Sequence, residues 1–445
     1  MVRRLLSLFL VLLLLIPIHT LAQPIKHTPL PDELIVKMKE KTIRQKNGST
    51  VRAFYPTTAN LKVNEELANI IDSFIEKTAP GLPEGKKTPK DSRLEVRPIY
   101  SPTGVSWLSF LILSRTVYHR QNVNSEIVSR TYDISSGRRI LLTDIFPEDS
   151  LGWDVLSNAV QTQLSAYFPE EADKKALAAL CSKEALKNAE FTLGAAKLEL
   201  HYPAAALYPD RTTLMHVKVY YHDLIGMMTQ EAALQTDNSR YPMVALTFDD
   251  GPRYGGTVNL LDDLEDYGAK VTFFLIGDEI ENNRDVVQRQ HDEGHTVASH
   301  TWNHFDPKNL STNELFENKA MFDKLLTDTT GLTAPYMRAP GGSYQKFVKV
   351  GIGLPLIEWS VIGGDITTTD YGQIKAIVAT NAKDGGIILL HDSKSATVQA
   401  IRGILYLLQN KGFLCVTVED LFARNNSKLE PNVVYRDANG WIEEN

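Results

Sequence analysis

The stretch LTFDDGP, residues 246–252, is an apolar, strand-like run that ends in two adjacent carboxylates and a Gly-Pro pair. Neighbouring side chains of a regular strand point to opposite faces, so Asp249 and Asp250 can serve one site only where the strand geometry fails. Gly251 is permissive in φ and Pro252 lacks a backbone donor, so together they predict such a failure. A solvated Asp-Gly turn is the alternative that this stretch alone leaves open.

From residue 241 onward, short apolar runs alternate with longer segments of helical periodicity. The strand candidates read MVALTF, VTFFLI, HTVAS, PLIEW, GGIILL and FLCVTV. Such alternation predicts a parallel sheet, and continuous apolar strands predict burial on both of its faces. A (β/α) barrel and an open doubly wound sheet both fit, and in either one the chemistry collects at the C-terminal ends of the strands. Asp249 and Asp250 end the first strand and therefore lie at the expected edge.

Composition and charge restrict the class of protein. The 445 residues are 43% hydrophobic and 23% charged, as in a soluble globular protein. A formal net charge of −7 gives no concentrated basic face, so nucleic acid is not an expected partner. Cys181 and Cys415 both lie in apolar stretches, and we expect small buried hydrophobes rather than a disulfide.

The N-terminus has the layout of a secretory signal peptide. Arg3 and Arg4 precede an apolar run, and the small-residue spacing around Ala22 predicts cleavage after that residue. An uncleaved N-terminal anchor is the alternative, and no other stretch of the sequence is long and apolar enough to span a bilayer. The protein is therefore expected to be exported, either to the cell envelope or into the medium.

Changes in the pattern of apolar and polar residues along the chain predict its domain organisation. Mixed strand-like and helical runs precede residue 229, including the helical pattern LKVNEELANIIDSFIEKTAP and a hairpin turn at residues 135–137. A polar stretch with weak periodicity then separates this part from the α/β alternation. The predicted segments are the signal peptide (1–22), an α+β accessory domain (23–228), a linker (229–240), an α/β domain with the deciding stretch (241–425) and a C-terminal tail (426–445).

The segment SHTWNH, residues 299–304, carries two histidines directly after a strand candidate. His300 and His304 are four residues apart, which predicts that both imidazoles lie on one side of a single helical turn and face one ion. His291 and His295 have the same spacing, but a glycine and a strand start separate them, so a shared face is not expected. Four histidines of the accessory domain occur singly and are expected to be structural: His119, His201, His216 and His222.

Two neutral imidazoles and one carboxylate form the three-ligand set of a catalytic zinc site, which keeps a position open for water. Asp250 is the predicted carboxylate ligand beside His300 and His304. Asp249 then remains unligated and is predicted to take a proton from the attacking water. One acid would hold the ion while its neighbour acts on the nucleophile.

Two further strand ends carry polar side chains that suit the same site. Arg338, in MRAPGGSY, can pair with a carboxylate bidentately and fix its orientation, and the N–H of Gly341 can stabilise an oxyanion. His391 ends the buried run GGIILLHD and is placed to protonate a leaving amine. Taken singly, each has a structural alternative, since an arginine near a glycine-rich turn is usually on the surface and a lone histidine is usually structural.

These segments together resemble the polysaccharide deacetylases of the NodB-homology type, carbohydrate esterase family four, over about residues 241–423. The resemblance implies a deformed (β/α) barrel, a divalent metal that is usually zinc, with cobalt or manganese as alternatives, and removal of acetyl groups from N-acetylated sugars. Matching of the family motifs assigns the base to Asp249, the metal ligands to Asp250, His300 and His304, the third motif to Arg338 and Pro340, and the fifth motif to Leu390 and His391.

The sequence departs from the family pattern at two motifs. Gly341 stands where the third motif usually has an aromatic residue, which removes a sugar-facing platform and keeps the backbone donor. In the fourth motif, Ile362 replaces an aspartate and Ile366 replaces a tryptophan. Asp365 is then predicted to orient His391 alone. Further substrate contacts are predicted for Pro340, Trp302, Tyr344 and Trp359, with core packing as the alternative for the three aromatic residues.

The substrate class follows from a second resemblance. YDISSGRRILLTDIF is similar to a domain of unknown function that precedes such deacetylases in exported bacterial proteins, including those acting on peptidoglycan. The expected substrate is therefore an amino-sugar polymer, either peptidoglycan or a chitin-type oligosaccharide, with N-acetylglucosamine and N-acetylmuramic acid both open. The alternatives are a non-catalytic glycan-binding protein, an O-acetyl xylan esterase and a glycosidase. A glycosidase fits poorly, because its two carboxyl groups lie about 5–9.5 Å apart across the scissile bond.

Overall fold

The computed structural model describes residues 29–84, 92–168, 170 and 172–440. The predicted signal peptide, residues 1–22, lies outside the described residues. Within the described part, no helix combines the length and the apolar character that a bilayer span requires.

The accessory region begins with a six-stranded sheet whose strands lie in sequence order. They are β1 (Lys37–Arg44), β2 (Thr50–Thr57), β3 (Ser92–Thr103), β4 (Trp107–Tyr118), β5 (Gln121–Asp133) and β6 (Arg138–Ile140). Only β2 and β3 pair in parallel, and helix α1 (Leu61–Thr78) forms the connection between them. Asn60 caps α1, and Val63, Leu67 and Ile71 bury its apolar face in the core under the sheet. The predicted helix and the predicted hairpin turn, between β5 and β6, are both confirmed.

A second layer of the accessory region contains short helices and a three-stranded antiparallel sheet. Its elements are α2 (Leu142–Ile145), α3 (Gly152–Leu164), α4 (Lys174–Leu180), α5 (Lys183–Lys187), β7 (Phe191–Leu193), β8 (Lys197–Pro203), β9 (Leu214–Tyr220) and α6 (Gln230–Thr236). These elements share one hydrophobic core that is separate from the core under β1–β6.

Helix α6 corrects the prediction of a linker at residues 229–240. Thr229 caps this helix, and the side chains of Gln235 and Asn238 are buried. Asn238 accepts a hydrogen bond from Gly104 N at 2.9 Å, and Gln235 accepts one from Val105 N at 3.0 Å. The segment looked like a linker because polar side chains, rather than an apolar stripe, attach it to the accessory sheet.

The second half of the chain contains the predicted parallel sheet, and every strand pair in it is parallel. The strands are β10 (Met243–Gly251), β11 (Thr272–Leu275), β12 (Thr296–Ser299), β13 (Leu356–Ile357), β14 (Val361–Ile362), β15 (Gly386–His391), β16 (Leu414–Cys415) and β17 (Val434–Tyr435). The helices are α7 (Tyr254–Asp266), α8 (Gly277–Ile280), α9 (Arg284–Asp292), α10 (Thr312–Thr330), α11 (Gln345–Val350), α12 (Tyr371–Asn381), α13 (Ser395–Asn410) and α14 (Val418–Ala423).

The order of the strands is β12-β11-β10-β15-β14, and β16 also pairs with β10. Parallel bridges from Ser299 to Met337 and from Met337 to Leu356 continue the row beyond β12. β13 therefore lies at one end of the row and β14 at the other, although both belong to one short segment. β17, within the predicted C-terminal tail, pairs with β13, so part of that tail is folded onto the domain.

The burial pattern of β10 explains the continuous apolar strands. Val244, Leu246 and Phe248 belong to a core that also contains residues of α7 and α13. Met243 and Ala245 belong to the core shared with the accessory sheet. Both faces are therefore buried, as the sequence predicts.

The two halves of the chain are joined by buried charged side chains. Arg97, in β3, lies 2.5 Å from Glu265 and 3.0 Å from Asp262 in α7. Lys197, in β8, lies 2.8 Å from Asp420 in α14. Because an unpaired buried charge is costly, these pairs hold the accessory region in one position against the parallel sheet.

Both cysteines are free, which confirms the prediction that they do not form a disulfide. Each is partly rather than fully buried, in contrast to the expectation of core residues. Cys415 packs beside the core around α7 and α13, and Cys181 packs beside the core of the second layer.

Candidate active site

The deciding stretch forms a bulge at the C-terminal end of β10. Asp249 pairs with Phe274 of β11, but Gly251 pairs with the next residue, Leu275, so Asp250 is an extra residue in the strand. Its φ of 73° lies in the left-handed region, where non-glycine residues are uncommon. The strand geometry therefore fails at Asp250 itself, directly before the predicted Gly-Pro break. Both carboxylates reach the same site because of this bulge.

Asp250, His300 and His304 come together as the sequence predicts. Each offers one ligand atom, and the three atoms lie within 4.8 Å of one another. Nε2 of His304 is 3.6 Å from Asp250 Oδ1, and Nε2 of His300 is 3.7 Å from the same oxygen. Asp250 Oδ1 is buried and, within the part of the chain that the structure describes, has no hydrogen-bond partner. A carboxylate oxygen without a partner beside two imidazole nitrogens fits a divalent metal ion.

The orientation of His300 is fixed by a hydrogen bond to the neighbouring strand end. Its Nδ1–H donates to the carbonyl of Arg338 at 2.9 Å, so Nε2 is the bare nitrogen that faces the two aspartates. Such outer hydrogen bonds set the tautomer of metal-binding histidines. Burial, only partly offset by the charges of Asp249 and Asp250, lowers the pKa of His300. The imidazole is therefore neutral near pH 7, as a metal ligand must be.

The local structure that carries the two histidines differs from the prediction. Residues 300–306 form an irregular loop rather than a helical turn. Thr301 and His304 both have positive φ, 70° and 57°, and the chain bends back at these points. This bend, rather than a helical turn, brings the imidazoles of His300 and His304 together. The predicted proximity of the two histidines is therefore right, and the predicted helical geometry is wrong.

Arg338 holds Asp249 in place from below the site. Its Nη1 donates to Asp249 Oδ1 at 2.8 Å and to Thr247 Oγ1 at 2.7 Å. The remaining donors bond to the carbonyls of Ile357 and Glu358, and the guanidinium lies over the ring of Phe274 at 4.0 Å. Arg338 is fully buried, not on the surface. It contacts Asp249 through one nitrogen, in contrast to the expected bidentate pair.

This arrangement leaves the second oxygen of Asp249 facing the histidines. Asp249 Oδ2 lies 3.7 Å from Nε2 of His300. Asp249 is 3% exposed, whereas the side chain of His304 is 48% exposed. The site is therefore buried on the side of the acid and open to solvent on the side of His304, so that a polymer can approach it.

His391 and Asp365 form a second pair at the same edge of the sheet. Asp365 accepts hydrogen bonds from His391 Nδ1 at 3.2 Å, from His391 N at 2.7 Å and from Thr397 Oγ1 at 2.7 Å. Burial lowers the pKa of His391, but the hydrogen bond and charge of Asp365 outweigh it, so the pKa is raised above its usual value. Ile362 and Ile366, the departures from the fourth motif, are exposed and contribute no carboxylate. Asp365 alone therefore orients this imidazole.

The predicted substrate contacts fall into two groups. Gly341 is exposed, with φ 60°, while Trp302 and Trp359 are partly buried beside the site. Pro340 is buried in the turn before Gly341. Tyr344 is 6% exposed and packs in a hydrophobic cluster with Met337 and Phe347. The prediction that Tyr344 stacks on a sugar was wrong, because its ring has no open face.

Three side chains that the sequence reasoning missed also contact the site. Ser393 Oγ lies 3.4 Å from Asp250 Oδ2. Thr247 Oγ1 accepts a hydrogen bond from Arg338 Nη1, which also donates to Asp249. Asp392 is buried below the bulge and accepts a hydrogen bond from Thr257 at 2.6 Å. Burial raises the pKa of Asp392 to about 7. The sequence signal of these three residues was weak, because single hydroxyl residues and single acids are common in loops.

Comparisons with known proteins identify relatives of this chain. The family model described as polysaccharide deacetylase matches residues 236–351. The peptidoglycan-N-acetylglucosamine deacetylase PgdA of Listeria monocytogenes is 37% identical over 194 residues, which cover 44% of this chain and 41% of that protein. A peptidoglycan-N-acetylglucosamine deacetylase of Bacillus cereus is 34% identical over 191 residues, which cover 40% of this chain and 87% of that protein.

Among solved structures, the peptidoglycan deacetylase PdaC of Bacillus subtilis is 27% identical, with 42% of this chain and 92% of that chain covered and a TM-score of 0.41. This chain thus matches less than half the length of the Listeria relative, but most of the Bacillus cereus relative. The chain therefore belongs to the polysaccharide deacetylase family.

Proposed function

We propose that this protein is a metal-dependent hydrolase that removes N-acetyl groups from an amino-sugar polymer. The observation that carries the proposal is the convergence of Asp250, His300 and His304 on one point, with a second acid, Asp249, beside them and held by Arg338. Three protein ligands with an adjacent free base are the arrangement that amide hydrolysis by a metal enzyme requires.

The donor set assigns the ion to Asp250, His300 and His304. A divalent ion held there, of which zinc is our first choice, supplies a Lewis acid for the acetamide carbonyl and lowers the pKa of the water that attacks it. Two neutral imidazoles and one carboxylate favour zinc over magnesium or calcium, which prefer oxygen ligands.

Asp249 is the proposed general base. Its Oδ1 is engaged by Arg338, so Oδ2, which faces His300, accepts the proton of the attacking water. Arg338 is a positioning residue in this scheme, because it contacts the base and not the substrate. The new C–O bond forms as that proton leaves the water. The N–H of Gly341, at the exposed turn, is the proposed protein donor to the oxyanion.

His391 is the proposed general acid. Its Nδ1–H is bonded to Asp365, which leaves Nε2 to deliver a proton to the sugar nitrogen as the C–N bond breaks. The products are acetate and a free amine. The raised pKa of His391 suits this role, since the imidazole remains protonated closer to neutral pH.

The proposed substrate is peptidoglycan, with chitin-type oligosaccharides as the second choice. Relatives from Listeria monocytogenes and Bacillus cereus are named as peptidoglycan-N-acetylglucosamine deacetylases, and another, from Bradyrhizobium, is named as a chitooligosaccharide deacetylase. Such a substrate requires export, in agreement with the signal peptide expected at residues 1–22. Trp302 and Trp359 are the proposed stacking residues, and Pro340 shapes the turn beneath the sugar.

The wider architecture is part of the same proposal. The row of parallel contacts that begins at β13 and ends at β14 supports a deformed (β/α) barrel for residues 241–425. The accessory region is proposed to guide the polymer. Arg120, at the tip of the β4–β5 hairpin, lies over the ring of Tyr254 at 4.0 Å, close behind the deciding stretch.

The experiment is a comparison of substrates with the purified, metal-loaded protein. Peptidoglycan, chitooligosaccharides and acetylated xylan are incubated separately, released acetate is measured, and the modified sugar is identified by mass spectrometry. We expect acetate from the N-acetylated polymers without new reducing ends. New reducing ends would indicate a glycosidase, acetate from xylan alone would indicate an O-acetyl esterase, and binding without any release would indicate a glycan-binding protein. Each of these three results would overturn the proposal.

A further inference from the structure

We propose that Glu199, His201 and His216 form a second metal site, for a divalent ion of the zinc class, in the accessory region. Among the described residues, two groups of histidine and acidic side chains have their ligand atoms within 4.8 Å of one another. One is the candidate active site. The other lies on β8 and β9 and has no part in the hydrolysis proposed above.

The pairing of β8 with β9 brings the two histidines together. His201 and His216 are directly opposite in the antiparallel register, and their Nδ1 atoms lie 3.0 Å apart. Two nitrogens at this separation can both lie about 2.1 Å from one ion. Glu199 precedes His201 by two residues and points to the same face of the strand. Its ligand oxygen lies within 4.8 Å of the ligand nitrogens of both histidines.

The outer contacts of this group are those of a metal ligand pair. Nε2 of His201 lies 2.8 Å from Thr192 Oγ1, which fixes the ring and leaves Nδ1 as the ligand atom. Without an ion, one Nδ1 must carry a proton and donate it to the other. In either tautomer, Nε2 of His216 remains buried and has no hydrogen-bond partner among the described residues. Within the same part of the chain, Glu199 Oε1 is likewise buried and accepts no hydrogen bond. The group is therefore not satisfied by its own hydrogen bonds.

The surroundings leave room for an ion and for water. Glu199 and His216 line a cavity of about 350 Å³ between the accessory region and the parallel sheet. The centre of the His291 ring, in α9, lies 5.2 Å from the centre of the His216 ring. This cavity is partly open to solvent, so water can enter it and complete the coordination of an ion.

Most of the neighbouring positive charge is compensated by carboxylates outside the group. Lys197 is paired with Asp420 and Lys218 with Glu419, at 2.8 Å and 2.7 Å, so these four charges compensate one another. Lys197 Nζ remains 3.9 Å from Glu199 Oε1, beyond hydrogen-bond distance. Lys197 thus interacts with Glu199 through charge but does not hydrogen-bond to Oε1, which leaves this oxygen free to coordinate an ion.

The protonation states also suit metal binding. Burial lowers the pKa of His201 to about 4 and lowers the pKa of His216 well below its usual value. Burial raises the pKa of Glu199, but the positive charge of Lys197 outweighs burial and holds the pKa far below its usual value. Two neutral imidazoles and an ionised carboxylate are thus present at pH 7, and no proton must leave when the ion binds.

The test is a metal count on the purified protein and its variants after loading with zinc and removal of the excess. We expect two ions per chain in the unmodified protein, one in His216→Ala and one in His304→Ala. The double variant should hold none. Glu199→Gln, which keeps the size of the side chain, repeats the test if His216→Ala fails to fold, and His222→Ala is a control that should still hold two.

Cobalt substitution provides the second readout. Titration with Co²⁺ should give two binding phases in the visible absorption spectrum, and His216→Ala should remove one of them without change to the other. One ion in the unmodified protein, lost in His304→Ala and retained in His216→Ala, would overturn this proposal while supporting the active site. Two ions that are both retained in His216→Ala and in Glu199→Gln would also overturn it. A site at Asp250 that stays empty would instead contradict the proposed function.

Discussion

The two groups of histidine and carboxylate side chains differ in the way that the chain builds them. The first group lies on irregular backbone, with a bulge at Asp250 and positive φ at His304, where parallel strands end. The second lies on two regular antiparallel strands, where register alone places His201 beside His216. Irregular backbone at strand ends leaves the first group open to substrate, whereas regular strands bury the second.

The surroundings of the two groups differ as well. Asp249 and His391 stand beside the first group, and each has a dedicated polar partner, Arg338 and Asp365. The second group has no comparable pair of acid and base, and its lysines are engaged by Asp420 and Glu419. The comparison therefore teaches that ligand geometry alone does not make a catalytic centre. Groups that move protons beside the ligands distinguish a catalytic centre from a structural one.

The largest effect is expected from removal of a ligand of the first group. His304→Ala should lower acetate release by about 10³-fold or more, equivalent to about 4 kcal/mol of transition-state stabilisation. Because the side chain of His304 is 48% exposed, the fold should remain intact. Glu199→Gln, in the second group, should leave acetate release within about twofold of the unmodified protein. An equal loss of acetate release in both variants would contradict the difference in function between the two groups.

A large effect on stability is expected at Arg338. Replacement by methionine leaves the charge of Asp249 buried without its partner, which should lower the free energy of unfolding by about 3–5 kcal/mol. The matched control is Arg402→Met. That arginine is 59% exposed and pairs with Asp263 and Asp266 at the surface, so its loss should cost about 0–1 kcal/mol.

Urea denaturation of the two arginine variants measures this difference directly. If Arg338→Met is no less stable than Arg402→Met, the guanidinium does not hold the base. In the second metal group, the buried cation nearest to the carboxylate is Lys197, which lies 3.9 Å from Glu199 and is already paired with Asp420 at 2.8 Å, so Glu199→Gln should cost less than Arg338→Met.

The smallest of these effects is a shift in pH dependence. Asp365→Asn removes the charge that raises the pKa of His391, so that pKa should fall. The protonated imidazole delivers the proton, and activity is therefore lost as pH rises through this pKa. The high-pH limb of the rate profile should move to lower pH in the variant. The loss at the optimum should remain below the roughly 10²-fold effect of removing a general acid.

The rate profile has a clear opposing outcome. An unchanged high-pH limb in Asp365→Asn, with normal folding, would mean that His391 is not the proton donor. His201 and His216 have no part in the proposed hydrolysis, so substitutions in the second group should leave the profile unchanged.

The sequence predicts more of the first group than of the second for a physical reason. Asp249 and Asp250 are neighbours, and His300 and His304 are four residues apart, so local spacing carries the signal. His201 and His216 are fifteen residues apart along the chain and meet only through the register of β8 and β9. A single sequence does not reveal register, and these histidines were therefore expected to be structural.

The fold, like the site, was predictable where local sequence patterns determine it. Apolar alternation predicts the parallel sheet and its buried faces, because burial depends on side-chain type. The bulge at Asp250, the loop at Thr301 and the buried ring of Tyr344 depend on tertiary contacts that no local pattern records. Helix α6 escaped prediction because Gln235 and Asn238 fasten it through hydrogen bonds. For the same reason, the sequence did not show that Arg338 contacts Asp249 through one nitrogen rather than two.

The central claim is that Asp249 acts as the base while Asp250 holds the ion. The most direct measurement is acetate release from peptidoglycan by Asp249→Asn, with its metal content determined on the same sample. The account predicts a rate lower by about 10²–10⁴-fold with the metal content of the unmodified protein. A rate within a few-fold of the unmodified protein, at full metal content, would contradict it.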